Sequence, residues 1–174
     1  MATRLDEIRN DRLSKLGKLR ELGIYPYPSK YSREFINVSK ARDKKDQQVD
    51  VVGRLWRLRE HGNVVFADLR DASGQIQLLF QKKNLEANFK ILKLLDAGDF
   101  LGVYGQVTTT KAGEITIDVA SFELLSKSIR PIPEDWNEIK GEEIRYRQRY
   151  VDLMASDELK KLFVAKSKFW NSMR

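Results

Sequence analysis

Residues 49–80 read VDVVGRLWRLREHGNVVFADLRDASGQIQLLF, and apolar and polar side chains alternate through them with a period of two. In 64–70, Val65, Ala67 and Leu69 share one face, and Val64, Phe66 and Asp68 share the other. In 75–80, Ile76 and Leu78 oppose Gln77 and Leu79. The pattern predicts strands at 49–59, 64–70 and 75–80, joined by turns at Glu60-His61-Gly62-Asn63 and Asp71-Ala72-Ser73-Gly74. A hairpin across 71–74 pairs Leu69 with Ile76 and Ala67 with Leu78 inside, and Phe66 with Leu79 and Asp68 with Gln77 outside. A hairpin across 60–63 pairs Leu58 with Val65 and Trp56 with Ala67 on the core face. It leaves Arg57 opposite Phe66 and Arg59 opposite Val64 on the outer face. That register turns Arg54 inward, and a bulge near Gly53 is expected to correct it.

Beyond Phe80, Asn84 is expected to cap a helix running to about Asp96, with Leu85, Phe89, Leu92 and Leu95 inward and Gly98 as its stop. Strands follow at 100–109 and 114–124, around a turn at Lys111-Ala112-Gly113. Five strands with one helix between the third and fourth is the order of an OB-fold, a small Greek-key barrel. The fold class is therefore mainly β with flanking helices. Upstream, Leu5, Ile8, Leu16 and Leu19 predict a helix with Leu13 and Leu22 beside the stripe and basic residues on its other faces; Gly23 stops it and Pro26 and Pro28 prevent its resumption. Residues 24–48 read as irregular. After Ser126 the chain is irregular again, through Pro131, Pro133 and Asp135-Trp136, and then comes EEIRYRQRYVDL at 142–153. Ser156 is placed to cap a last helix, in which Leu159, Leu162, Phe163, Phe169, Trp170 and Met173 recur at helical spacing. That stripe meets no Gly or Pro stop before Arg174. The expectation is a chain broken off inside a helix of a longer protein, against the plainer alternative of a terminal helix folded back on the barrel. The organisation expected is 1–48 basic helix and lead-in, 49–126 barrel, 127–155 linker and 156–174 truncated helix.

Composition excludes several chemistries. The 174 residues include no cysteine and one histidine, His61. Disulfides, thiolate nucleophiles, cysteine zinc sites and histidine metal clusters are thereby removed, and no metal site is expected. No Gly-rich phosphate loop and no nucleophile with a base are found, so no catalytic residue is assigned. No apolar run reaches the ~20 residues of a membrane span, and the N-terminus lacks the apolar core of a signal peptide. The formal charge is +7, which favours an acidic partner. It is unevenly placed: residues 1–48 carry +5, residues 49–126 carry −1 and residues 127–174 carry +3. The barrel is nearly neutral, and the flanks could supply unspecific attraction to a nucleic-acid backbone.

The pairing collects Arg57, Arg59, Phe66, Gln77 and Leu79 on one outward surface of the first three strands, the surface with which OB-folds bind oligonucleotides. An aromatic ring can stack on an unpaired base, arginine can contact phosphate or a base edge, and glutamine offers both a donor and an acceptor. In the fifth strand Ile115, Ile117 and Val119 point inward, and Glu114, Thr116 and Asp118 outward. A carboxylate here repels phosphate, so Glu114 is useful only as an acceptor for base N–H groups. Each residue has a plainer reading: Phe66 packed under a helix or loop, the arginines as solvated charges, His61 as a solvated turn residue. Convergence on one face favours binding.

The string Arg145-Tyr146-Arg147-Gln148-Arg149-Tyr150-Val151-Asp152-Leu153 resembles the segment joining the N-terminal and catalytic domains of class II lysyl-tRNA synthetases. Aspartyl and asparaginyl relatives share the barrel, and Gln148 points to the lysine enzymes. Leu19-Arg20-Glu21-Leu22-Gly23 through Pro28, then Gly53-Arg54, Arg59, Gly62, Phe66, Leu69, Asp71, Gly74 and Ile76-Gln77-Leu78, are similar to the family pattern. So are Gly98-Asp99, Gly102, Gly105, Thr110, Gly113-Glu114, Leu124-Leu125, Lys127 and Arg130-Pro131-Ile132-Pro133. The likeness spans nearly the whole chain. It departs at Leu58, Asn63, Gly141 and Lys166, where the family has a basic residue, Lys, Asp and Arg.

The resemblance implies an anticodon-binding barrel, with Phe66 stacked on the central uridine of a U-rich lysine anticodon. Arg59 and Gln77 would contact that uridine's edge and Glu114 an adjacent base; Arg57 rests on the face argument alone. It further implies a linker to the protein's own catalytic domain, and a final helix that begins the first class II motif and its homodimer interface. The full-length enzyme is expected in the cytoplasm. It would use ATP and Mg2+ in its catalytic domain to form lysyl-adenylate and charge tRNA(Lys). The present residues are expected to hold no cofactor and to show no lysine-dependent ATP–pyrophosphate exchange. The alternatives are a sequence-tolerant OB-fold binder of single-stranded nucleic acid, and a protein-interaction module.

Overall fold

A computed structural model describes residues 3–110, 113–131 and 142–174. The chain divides into two compact units, Met1–Pro131 and Ile132–Arg174. In the first, α1 (Arg4–Glu21) and α2 (Val38–Arg42) precede β1 (Gln48–His61), β2 (Val64–Arg70) and β3 (Gln75–Gln81); α3 (Lys82–Leu85) and a 3-10 helix (Glu86–Leu94) lead to β4 (Phe100–Thr109) and β5 (Ile115–Ser126). The strands close in a ring in the order β1-β2-β3-β5-β4, with β3 and β5 parallel and every other pair antiparallel. This is the expected OB-fold order. Leu55, Leu69, Ile76, Leu78, Phe80, Leu101, Val103, Val107, Ile117 and Val119 fill its interior, and burial of that apolar surface is the main force holding the ring closed.

The β2–β3 hairpin has the expected register, with Leu69 opposite Ile76 and Phe66 opposite Leu79. Asp71 builds its turn: Oδ1 accepts from Ser73 N at 2.6 Å and Gly74 N at 2.9 Å, an Asx turn. Its Oδ2 accepts from Val38 N at 2.8 Å, so one carboxylate ties the turn to the start of α2. Burial works to raise the Asp71 carboxyl, but the hydrogen bonds from Val38, Ser73 and Gly74 hold it below its ordinary value.

The β1–β2 hairpin corrects the sequence reading. The connection is Gly62-Asn63 alone, with Gly62 at φ 60°, in the first place of a two-residue loop, where glycine escapes the clash of a Cβ. Arg59 therefore lies opposite Phe66, Arg57 opposite Asp68, Leu58 opposite Ala67 and His61 opposite Val64. The bulge falls between Leu55 and Arg57 and not at Gly53. The extra residue is Trp56, which leaves the core; Leu55 is buried before the bulge and Leu58 faces inward after it. This flip of parity is what turns Arg54 outward.

The segment between β3 and β4 also differs from expectation. Glu86 has φ 47°, which breaks the helical ladder after one turn, and a 3-10 helix follows. Its spacing of three still brings Phe89, Leu92 and Leu95 to the core. Asn84 does not cap; its Nδ2 donates to Asp118 Oδ1 at 3.1 Å. The turn residues Lys111 and Ala112 lie outside the described residues.

α1 begins with a capping box between Thr3 and Asp6 and ends at Gly23 (φ 73°), with Ile24 N donating to Leu19 O at 2.9 Å. The buried side chains of the helix are Arg12, Leu16 and Leu19, while Leu5 is 63% exposed and Leu13 and Leu22 are also exposed. The expected stripe is thus corrected at its centre by an arginine. Arg12 Nη1 donates to Arg130 O at 2.9 Å and Ser128 O at 3.3 Å, and Nη2 donates to Ala97 O at 3.1 Å. Beside it the Lys127 ammonium is fully buried between Asp96 and Asp99, and Lys15 reaches Asp96 at 2.7 Å. Residues 24–48, read as irregular, contain α2 and a strap: Ile36 bridges Val51, and Tyr31 Oη donates to Asp50 Oδ1 at 2.7 Å.

In the second unit, α4 (Glu142–Arg147), α5 (Arg149–Ala155) and α6 (Asp157–Met173) follow one another. Asp152 accepts from Arg149 Nη1 at 2.6 Å and Arg145 Nε at 3.2 Å. Ser156 caps α6 as expected, its Oγ accepting from Leu159 N at 3.2 Å. Leu162, Phe163, Phe169, Trp170 and Met173 are exposed. Pro133 and Asp135-Trp136 lie outside the described residues. No described helix is long and apolar enough to cross a membrane.

Candidate nucleic-acid interface

The outer face of β1, β2, β3 and β5 carries two rows of side chains. One runs Arg59–Phe66–Leu79–Asp118 and the other Arg57–Asp68–Gln77–Thr116. Four strands contribute one residue to each row, because every second residue of a strand points the same way. Phe66 and Leu79 are half-buried, and Arg57, Arg59 and Glu114 are exposed. The sequence-predicted site residues are therefore brought to one face, with Glu114 just before β5.

Their partners are specific. Arg59 Nη2 lies 3.8 Å from Asp68 Oδ1, whose side chain is mostly buried; Asp68 itself stands opposite Gln77. Gln77 is only 8% exposed. Its Nε2 donates to Glu114 Oε2 at 2.7 Å, and its Oε1 accepts from Thr116 Oγ1 at 2.8 Å. One amide hydrogen of Gln77 remains beyond these bonds. Gln77 thus sets the position of Glu114 from below, and Thr116 fixes which end of the amide carries the oxygen. Asp118 accepts from Gln81 Nε2 at 2.9 Å and from Asn84, which ties down the carboxylate at the end of the first row.

Three contributors were not picked out from the sequence. Asp68 anchors Arg59. Thr116 orients Gln77. The His61 ring stands edge-on to Phe66, with centroids 6.2 Å apart. A two-residue turn at Gly62-Asn63 extends β1 to His61 on the side of Arg59 and Arg57, so glycine in the first turn position was the available signal. The arrangement offers a π-face on Phe66, a guanidinium on Arg59 and an acceptor on Glu114 within adjoining positions. Such a set can stack one unpaired base and bond its edge. Among the described residues, no group of three or more His, Asp or Glu is placed to hold a metal ion.

Residues 49–125 match the family model for the OB-fold nucleic acid binding domain of the tRNA anticodon type. The chain is 40% identical over 174 residues to a lysine–tRNA ligase of Syntrophomonas wolfei, covering 98% of this chain and 35% of that protein. It is 40% identical over 175 residues to the lysine–tRNA ligase of Carboxydothermus hydrogenoformans, covering 98% and 36%. For the lysine–tRNA ligase of Methanoculleus marisnigri the identity is 41% over 172 residues, covering 94% and 34%. The chain spans about a third of the length of these relatives.

Proposed function

We propose, from the match of residues 49–125 to the OB-fold nucleic acid binding domain of the tRNA anticodon type and the 40% identity to part of two lysine–tRNA ligases, that this chain reads the U-rich anticodon loop of tRNA(Lys). Phe66 stacks on the central base, Arg59 and the remaining amide hydrogen of Gln77 bond its edge, and Glu114 accepts from an adjacent base. Arg57 lies one row away and attracts the strand. The observation that carries this reading is the convergence of Phe66, Arg59 and the Gln77–Glu114 pair on one face of a strand segment with net charge −1. A nearly neutral segment gains little from bulk attraction, so named base contacts must supply selectivity. The basic flanks add backbone attraction.

The whole protein, in this reading, is a cytoplasmic homodimeric ligase that joins lysine to tRNA(Lys) with ATP and Mg2+ in a catalytic domain of its own. Residues 49–126 then serve as the anticodon domain, 127–155 as the linker and 156–174 as the start of the dimer-forming motif. The present residues bind and orient the RNA and take no part in lysine activation.

The test is a titration of anticodon stem-loops. Loops with U-rich anticodons should bind more tightly than all-G loops, and Phe66→Ala should weaken the U-rich loop about tenfold and erase the preference. Equal binding of U-rich and all-G loops would replace this reading with a sequence-tolerant single-strand binder.

A further inference from the structure

The same outer face continues past Asp68 to Arg70, four residues along β2 from Phe66, about 13 Å at ~3.3 Å per residue. There the bulge has displaced Trp56 from the core. Its half-buried indole lies against the Arg70 guanidinium, whose central carbon stands 4.3 Å from the ring centroid. Arg70 Nε donates to Gln75 Oε1 at 2.6 Å, which fixes the plane of the guanidinium. Arg42 Nη1 donates to Gln75 O at 2.8 Å and brings another positive charge to this end of the sheet. Arg57 adds a further one in the neighbouring row. The only carboxylate of β2 between the two places, Asp68, is mostly buried and paired with Arg59.

An aromatic ring backed by an ordered guanidinium is a stacking surface for a base, since unpaired bases stack on both kinds of plane. We propose that Trp56 and Arg70 form a second base station for the same single strand that Phe66 engages. It takes another unpaired base, and Arg57 and Arg42 draw in the phosphates around it. A span of about 13 Å lies well inside the ~4–16 nucleotides that one OB-fold holds. This inference rests on the Phe66 face being the RNA-binding face.

The experiment uses anticodon stem-loops that each carry one abasic nucleotide, scanned through the loop and titrated into the parent chain and its Phe66→Ala, Trp56→Leu, Trp56→Phe and Arg70→Lys variants. Trp56→Leu should weaken the intact loop about tenfold, Arg70→Lys should do the same with charge retained, and Trp56→Phe should keep most of the affinity. One loop position, different from the Phe66-dependent one, should lose its sensitivity to Trp56→Leu once its base is removed. A Phe66-dependent position with no Trp56-dependent one, or unchanged affinity in Arg70→Lys, overturns the second station and leaves the first standing. Loss of dependence on Phe66 everywhere overturns both. Arg70 is exposed, so Arg70→Lys keeps the test decisive even if the Trp56 variants fold poorly.

Discussion

The Gln77 side-chain amide donates to the Glu114 carboxylate at 2.7 Å while its own oxygen accepts from Thr116 at 2.8 Å. Two residues that look like independent base readers are therefore one mechanical unit. A buried amide pinned at both ends holds an exposed carboxylate in place, and preorganisation of that kind limits the ordering cost of binding.

From this coupling, Gln77→Ala and Glu114→Ala should each weaken the U-rich stem-loop, and the double variant should be little worse than either alone. A double-mutant cycle with a coupling of about 1 kcal/mol or more is expected. Additive losses would mean that the two side chains act separately. Thr116→Val should lower affinity as well, without touching RNA, by freeing the amide to turn over.

The Lys127 ammonium is enclosed by Asp96 and Asp99. Lys127→Met should cost about 3–5 kcal/mol in urea unfolding at pH 7, because it leaves buried carboxylates without their counter-charge. Burial already pushes the Asp99 carboxyl above its ordinary value, against the pull of Lys127. In the variant that pull is gone and Asp99 rises further. A group whose folded pKa lies above its unfolded value destabilises at high pH, and the penalty fades as pH falls through the folded value. The loss in Lys127→Met should therefore shrink as the pH is lowered from 7. A loss that grows on acidification would contradict this.

Arg12 is the polar centre of the α1 contact. Its guanidinium donates to the carbonyls of Ala97, Ser128 and Arg130. Arg12→Ala strands those acceptors and should lower stability by about 3 kcal/mol. Arg12→Lys should recover less than half, since one ammonium cannot match the planar fork. Thermal unfolding of the three proteins side by side is the measurement.

The Tyr31 ring rests on Gly102: a Cβ placed there would run into Tyr31 Cε2. Gly102→Ala should destabilise by about 1–3 kcal/mol by lifting the strap and breaking the bond from Tyr31 to Asp50. In a Tyr31→Ala background the same substitution should cost less, because the clash is gone. An equal cost in both backgrounds would place the strain elsewhere.

Much of the fold is legible in local pattern. Alternation through 64–70 and 75–80 yields the β2–β3 register residue for residue, because a four-residue turn with Asp71 and Gly74 leaves one pairing that buries Ala67, Leu69, Ile76 and Leu78 together. Ser156 announces α6 for the same reason, since a cap acts within three residues of itself. The spacing of Phe89, Leu92 and Leu95 shows which side chains face inward, but it suits a 3-10 turn as well as an α-helix, so the helix type stays open. In the first hairpin the alternation of 49–61 is compatible with several turn lengths and bulge positions. Its register is therefore settled by which arrangement turns Leu55 and Leu58 inward and Arg54, Arg57 and Arg59 outward in the closed sheet.

Strands, their inward faces and the outward placing of Arg57, Arg59, Phe66, Gln77 and Glu114 follow from side-chain order alone, because a strand's faces are set by a period of two within a few residues. The place of Trp56, the burial of Gln77 and the role of Arg12 do not. Trp56 leaves the core because an extra residue must sit somewhere for both ends of β1 to face the interior, and only the whole sheet decides where. Gln77 meets Glu114 across 37 residues of chain, and Arg12 meets Arg130 across 118. A polar side chain becomes structural when its partners are carried to it by distant segments, and no local pattern contains the address of a partner that far away.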